Sequence, residues 1–171
     1  MKDNMVCEKE NVRMQFETEI FSQFNDKWAL LSAGSKERHN TMTISWGGMG
    51  TLWFKPVVTV YVKPCRHTCH YMNDNEYFTV SFYPEEYKKA LMLMGSMSGR
   101  DTDKDAVSGL TVKDLGQAVT YEEAEVTLLC KKIYFQDMER PNMPKDVVGQ
   151  HYTTEEPHRM FIGEVVEVIG K

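Results

Sequence analysis

The chain has little of what usually announces a function. Its 171 residues contain no long apolar run. A membrane-spanning helix would need about 18 consecutive apolar residues, so none is expected. The first ten residues are polar and of mixed charge, with no apolar signal-peptide core behind them. Cysteine is sparse, at positions 7, 65, 69 and 130. In a chain this long that excludes a disulfide scaffold and leaves reduced thiols, so a cytoplasmic location is expected. There is no Lys/Arg-rich run, and the formal net charge is −5, which argues against a general nucleic-acid binder. No G-x-S-x-G, Walker A loop, G-x-G-x-x-G or H-E-x-x-H occurs.

What is present is concentrated in Asn40 to Lys55, N-T-M-T-I-S-W-G-G-M-G-T-L-W-F-K. Thr41, Thr43 and Ser45 alternate there with Met42, Ile44 and Trp46. In a strand that puts hydroxyls on one face and large apolar groups on the other. A turn of three glycines follows, where backbone can approach a flat ligand closely. The segment reads as one wall of a site for a planar ligand with polar edges.

The rest of the chain reads as β-rich, with no repeat, low-complexity tract or linker. Strands are expected over Trp28–Ala33, Thr41–Trp46, Val57–Lys63 and Tyr77–Tyr83. Cys65–Asn73 fits a helix whose apolar face carries Cys65, Cys69 and Met72. A second helix begins near Pro84 and presents Tyr87, Ala90, Leu91 and Met94. Glu123–Met138 reads as one long strand whose apolar register switches between Cys130 and Ile133, a mark of a bulge. Phe161–Ile169 is the last strand, with Gly163 as a possible bend. Long bent strands close sheets into barrels, so a small closed or split barrel with two to three crossing helices is expected. One domain spans 1–171, its core at about 25–170, with a flexible N-terminus over 1–14.

Two places offer anion donors. Arg66, His67 and Thr68 stand at the expected start of a helix, where backbone N–H groups point outward. The loop Gly95–Lys104 adds Ser96, Ser98, Gly99, Arg100 and Lys104. Cys65-Arg66-His67-Thr68-Cys69-His70 has the spacing of a zinc half-site but no second pair elsewhere, and its cysteines suit an apolar face, so no metal is expected.

Taken together, Asn40–Trp46, Lys55–Val62, Tyr77–Phe82, Gly95–Lys104 and His158–Val165 resemble the flavin reductase-like family, most closely its flavoredoxin-type branch. The resemblance runs from about Trp28 to Val168. It implies an FMN-binding split β-barrel, mainly β, acting as a homodimer and passing electrons through flavin from NADH or NADPH to an acceptor. A flavoredoxin-like carrier reduced by a protein partner is the alternative it leaves open. By position it implies that Asn40, Thr41, Met42, Thr43, Ser45 and Trp46 line the flavin ring and ribityl chain. Arg66, Thr68 and Lys104 would hold the phosphate, with Ser96, Ser98 and Gly99 at its border. His158 would stand near flavin and nicotinamide as the catalytic residue. Cys65, Cys69 and His70 replace the Ser and aromatic residues usual at those positions.

Overall fold

The structure is a computed structural model that describes residues 16–170; the expected flexible segment over 1–14 lies outside them. A short turn, α1 (Ile20–Ser22), continues through Gln23–Lys27 into β1 (Ala29–Gly34). There follow β2 (His39–Ile44), β3 (Gly47–Leu52), β4 (Lys55–Val62), α2 (His67–Asp74), β5 (Tyr77–Phe82), α3 (Lys88–Ser96) and α4 (Lys104–Ser108). The small strands β6 (Val112–Asp114) and β7 (Val119–Tyr121) form a separate pair. Then come β8 (Val126–Asp137), α5 (Lys145–His151) and β9 (Arg159–Gly170).

The large sheet is antiparallel in the order β2-β1-β5-β8-β9-β4-β3. Its two edge strands, β2 and β3, are consecutive in sequence and joined only through Ser45 and Trp46. Three residue steps span no more than about 11 Å. The opposite edges of a seven-stranded sheet must therefore lie within that distance, which is possible only if the sheet curls on itself. The edges meet at this link without pairing, so the barrel is split there.

The curl has visible causes. β8 and β9 slip register between Leu129 and Cys130 and again between Lys132 and Tyr134. The second slip leaves Ile133 unpaired, at the point where the apolar register switches in the sequence. At Gly163 a Cβ would sit 2.5 Å from the Phe78 ring and 2.8 Å from the Cβ of Cys130. Only glycine lets the bent strand lie against that ring.

Alternation along β1 separates two cores. Ala29, Leu31 and Ala33 face the barrel interior with Ile44, Val58, Val60, Phe78, Val80 and Phe161. Leu30 faces outward into a second cluster with Ala90, Leu91 and Met94 of α3 and with Tyr121 of β7. On that outer side several buried hydroxyls pair with one another. Ser32 and Thr41 share a hydrogen bond of 2.8 Å, and Thr120 bridges Ser81 and Thr127 at 2.8 and 2.9 Å.

Two sequence expectations need correction. The glycine turn after Trp46 is the edge strand β3, whose hairpin to β4 places Trp53 and Phe54 at positive φ (53° and 59°), as a tight primed turn requires. Cys65 is exposed and precedes α2, so the apolar part of the buried helix face is Cys69 and Met72, with Thr68 buried beside them. Pro64 and the extended backbone of Arg66 (φ −71°, ψ 136°) delay the helix to His67.

Candidate functional site

A cleft begins where β4 runs out. After Val62 the chain turns back, with Arg66 N–H donating to Lys63 O at 3.0 Å, and α2 starts. The loop after α3 closes over the same point, with Asp101 N–H and Thr102 N–H donating to Ser98 O. Between them lies a cavity of about 400 Å³. Lys63, Arg66, Arg100 and Lys104 all line it, and the one carboxylate there, Glu155, pairs with Lys63. In a chain of net charge −5, this is a local surplus of positive charge.

Each donor is held from behind. Lys104 is buried at the start of α4, and its Nζ donates to Thr41 O (2.8 Å) and Met94 O (2.7 Å). Burial and the neighbouring Arg66 charge lower its pKa to about 8. The next residue, Asp105, accepts from Tyr121 Oη at 2.7 Å and is paired with His39 Nε2 at 3.0 Å. That pairing raises the His39 pKa, while the carboxyl of Asp105 is lowered by its two partners despite the cost of burial. Arg100 donates to Cys65 O at 3.3 Å, and Arg66 reaches Gly95 O at 3.4 Å. Asn40 Nδ2 donates to Thr68 Oγ1 at 2.7 Å. A Cβ on Gly99 would lie 1.9 Å from Asn40 Oδ1, so the loop approaches the strand this closely only through glycine.

A second cavity of about 200 Å³ opens from the first, sharing Met42, Lys63 and Arg66. Its other walls are Thr43 to Trp46, Tyr61 and His158. His158 is buried, its Nδ1 lies 2.8 Å from Tyr152 Oη, and its ring centroid lies 5.2 Å from that of Trp46. Burial, reinforced by the charges of Lys63 and Arg66, lowers its pKa to about 4, so the imidazole is neutral at pH 7. His151, at the end of α5, packs edge-on to Trp46 at 5.4 Å.

The structure thus gathers Asn40, Met42, Arg66, Thr68, Ser98, Gly99 and Lys104 around the larger cavity. Met42, Thr43, Ser45, Trp46, Arg66 and His158 surround the smaller. Thr41 and Ser96 line neither. The Thr41 hydroxyl is turned to Ser32 and Tyr121 on the outer face, and Ser96 bonds back to Leu93 O at 3.3 Å. The hydroxyl of Thr43 is also committed, donating to Leu91 O of α3. Met97, Lys63, Tyr61, Tyr152 and Glu155 complete the surroundings and were not singled out in the sequence; among them, only Lys63 and Tyr61 carried a cue, their place at the end of a readable strand.

The fold has counterparts among known proteins. The FMN-binding protein from Thermus thermophilus with bound 1-cyclohex-2-enone is similar, with a TM-score of 0.68 at 21% identity over 92% of this chain and 78% of that one. The flavoredoxin from Methanosarcina acetivorans gives 0.66 at 20% identity, over 93% and 75%. Nitrilotriacetate monooxygenase component B from Bacillus cereus gives 0.64 at 16% identity, over 82% and 67%. At such identities the likeness is one of fold. A comparison with curated proteins found no match. The flavin reductase like domain, however, matches residues 21–171 as a sequence family. Because that match takes in every strand of the split barrel and every residue of the cleft, the chain belongs to the flavin reductase-like domain family.

Proposed function

We propose that the two joined cavities hold FMN and that the protein is an FMN-dependent oxidoreductase using NADH or NADPH as donor. One observation carries this reading: four cationic side chains line one end of the cleft, and beyond the two that it shares with the other end, Lys63 and Arg66, the walls there are uncharged and partly aromatic. A ligand with a doubly charged phosphate at one end and a flat ring at the other matches that polarity. Arg66, Arg100 and Lys104 would hold the phosphate, with Ser98 and Thr68 beside it. Met42 to Trp46, Tyr61 and His158 would border the ring.

When bound, FMN supplies a ring that takes up hydride and passes electrons on. The protein's residues bind, orient and shield. Neutral His158, held by Tyr152, offers a hydrogen bond without adding charge. Trp46 and Tyr61 separate the smaller cavity from an open one of about 1150 Å³ lined by Gly47, Gly48 and Met49. That open side is the approach for a nicotinamide donor. It would also admit a protein donor, the flavoredoxin-like alternative. Anaerobic mixing with FMN and NADH or NADPH tests the reading. Bleaching by either supports the reductase; bleaching by reduced ferredoxin alone selects the carrier.

A homodimer is part of the proposal. Trp53 and Phe54 at the β3–β4 hairpin and Phe135 on β8 are exposed aromatic residues, more than isolated surface positions require. Sedimentation would show a mass twice that of the chain.

A further inference from the structure

The four cations at the phosphate end of the cleft are not in the same state. Arg66, Arg100 and Lys104 have no carboxylate partner among the described residues. Lys63 has one: its ammonium is paired with the carboxylate of Glu155. Glu155 lines the same cavity, so one cation of an anion site is occupied by an anion of the protein's own. Lys63, with help from the charge of Arg66, holds the Glu155 carboxyl below the usual carboxylate range, so it is ionised at neutral pH.

The two partners are held differently. Lys63 directly follows the last residue of β4 and its side chain is 25% exposed, whereas that of Glu155 is 54% exposed. A carboxylate so open to solvent can leave its partner for water at little cost. The backbone beneath it is pinned, because Arg140 donates through Nε to Tyr152 O at 3.1 Å and through Nη2 to Glu155 O at 2.7 Å. His158, three residues on, is buried and joined to Tyr152 Oη. Rotation of the Glu155 side chain alone therefore frees Lys63 and leaves the wall of the smaller cavity in place.

We propose that Glu155 is an internal counter-ion of the phosphate site, exchanged for the flavin phosphate at Lys63 when FMN binds, and that it sets how strongly the protein prefers FMN over riboflavin. The inference rests on the flavin reading of the cleft and adds Lys63 to the phosphate ligands. A phosphate dianion, with Arg66, Arg100 and Lys104 beside it, carries enough charge to take Lys63 from a single carboxylate. Glu155 then opposes FMN twice, as a competitor for Lys63 and as a like charge close to the phosphate. Riboflavin ends in a hydroxyl, leaves the Lys63–Glu155 pair intact and meets neither cost. Glu155 thus narrows the preference for the phosphorylated flavin and makes bound FMN easier to release.

Glu155→Gln keeps the shape of the side chain and removes its charge. Titrate the purified apoprotein separately with FMN and with riboflavin at one ionic strength, following flavin fluorescence. Compare the native chain, Glu155→Gln, and Glu155→Gln combined with Lys63→Met. Glu155→Gln should bind FMN about fivefold tighter than the native chain, the scale of a part-exposed charge pair, and riboflavin within twofold. Adding Lys63→Met should remove that gain. An ion pair that only braces the segment would instead leave both flavins unchanged or weaken both in Glu155→Gln. That result, a gain that riboflavin shares, or a gain that survives Lys63→Met would overturn the inference while leaving the FMN reading intact. If no form of the protein binds FMN, the flavin reading falls and the inference falls with it.

Discussion

Tyr152 Oη and His158 Nδ1 lie 2.8 Å apart, and both side chains are buried. The pair ties the residue after α5 to the residue before β9 at the edge of the smaller cavity, where burial and the charges of Lys63 and Arg66 keep the imidazole neutral. His158 has its pKa lowered from 6.5 to about 4. Between those values the unfolded chain takes up a proton that the folded chain refuses. The contribution is therefore complete above pH 6.5 and is lost as pH falls toward 4, by at most about 3 kcal/mol. His39, raised by Asp105, acts in the opposite sense: its contribution is complete below 6.5 and fades as pH rises through the folded value. Urea unfolding of the native chain and of His158→Gln at pH 7 and pH 5 separates the two. The native chain should lose more stability than the variant over that interval. Parallel losses would remove His158 as the cause.

Arg66 is the side chain shared by both cavities that carries permanent charge and no carboxylate partner among the described residues. Arg66→Ala should weaken FMN binding by about 1.5–3 kcal/mol, the range for a hydrogen bond to a charged group. Fluorescence titration measures it directly, and unchanged affinity would take Arg66 out of the phosphate site.

Lys104 should make FMN affinity depend on pH. In the free protein its ammonium loses its proton above about pH 8. A phosphate dianion binds the charged form better, so affinity should fall as pH rises beyond 8, by up to about tenfold per unit. Lys104→Met should bind FMN more weakly at pH 7 and show a flatter profile between pH 7 and 9.5. The same slope in both proteins would place the titration elsewhere.

Much of the barrel was readable because its strands carry dense β-branched and aromatic runs. Val57–Lys63 and Tyr77–Tyr83 differ from the observed β4 and β5 by one or two residues at their ends. The bulge near Ile133 was readable because a one-residue slip moves every later side chain to the other face. β3 was hidden by its glycines, which weaken every local strand preference and pair only because β4 lies alongside. The hydroxyl face of β2 illustrates a deeper limit. Period-two alternation shows that Thr41 and Thr43 share a face but not what covers it. The cover is α3 and β7, brought there by long-range packing, and the Tyr121 that binds Thr41 lies eighty residues on. Arg66 was visible because it stands at an expected helix start, and Lys104 because it closes a donor-rich loop; that a helix begins at Lys104 was not readable.

That covering network should be measurable as stability. Tyr121 Oη donates to Asp105 Oδ1 at 2.7 Å and lies 2.9 Å from Thr41 Oγ1, so one hydroxyl joins β7, α4 and β2. Tyr121→Phe leaves buried oxygens without this partner and should cost about 1–3 kcal/mol. Urea denaturation reads the loss. Because the same hydroxyl steadies Asp105 beside Lys104, FMN affinity should fall as well; a variant as stable as the native chain would show the network to be dispensable.

In the proposed complex one cleft binds FMN, by its phosphate at Arg66, Arg100 and Lys104 and by its ring beside His158. The visible spectrum of the purified protein with stoichiometric FMN, recorded anaerobically before and after NADH or NADPH, tests it most directly. The account predicts a protein-bound flavin spectrum that bleaches on addition of one of the two donors. A flavin spectrum identical to free FMN, with no protein-bound fraction after gel filtration, would contradict it.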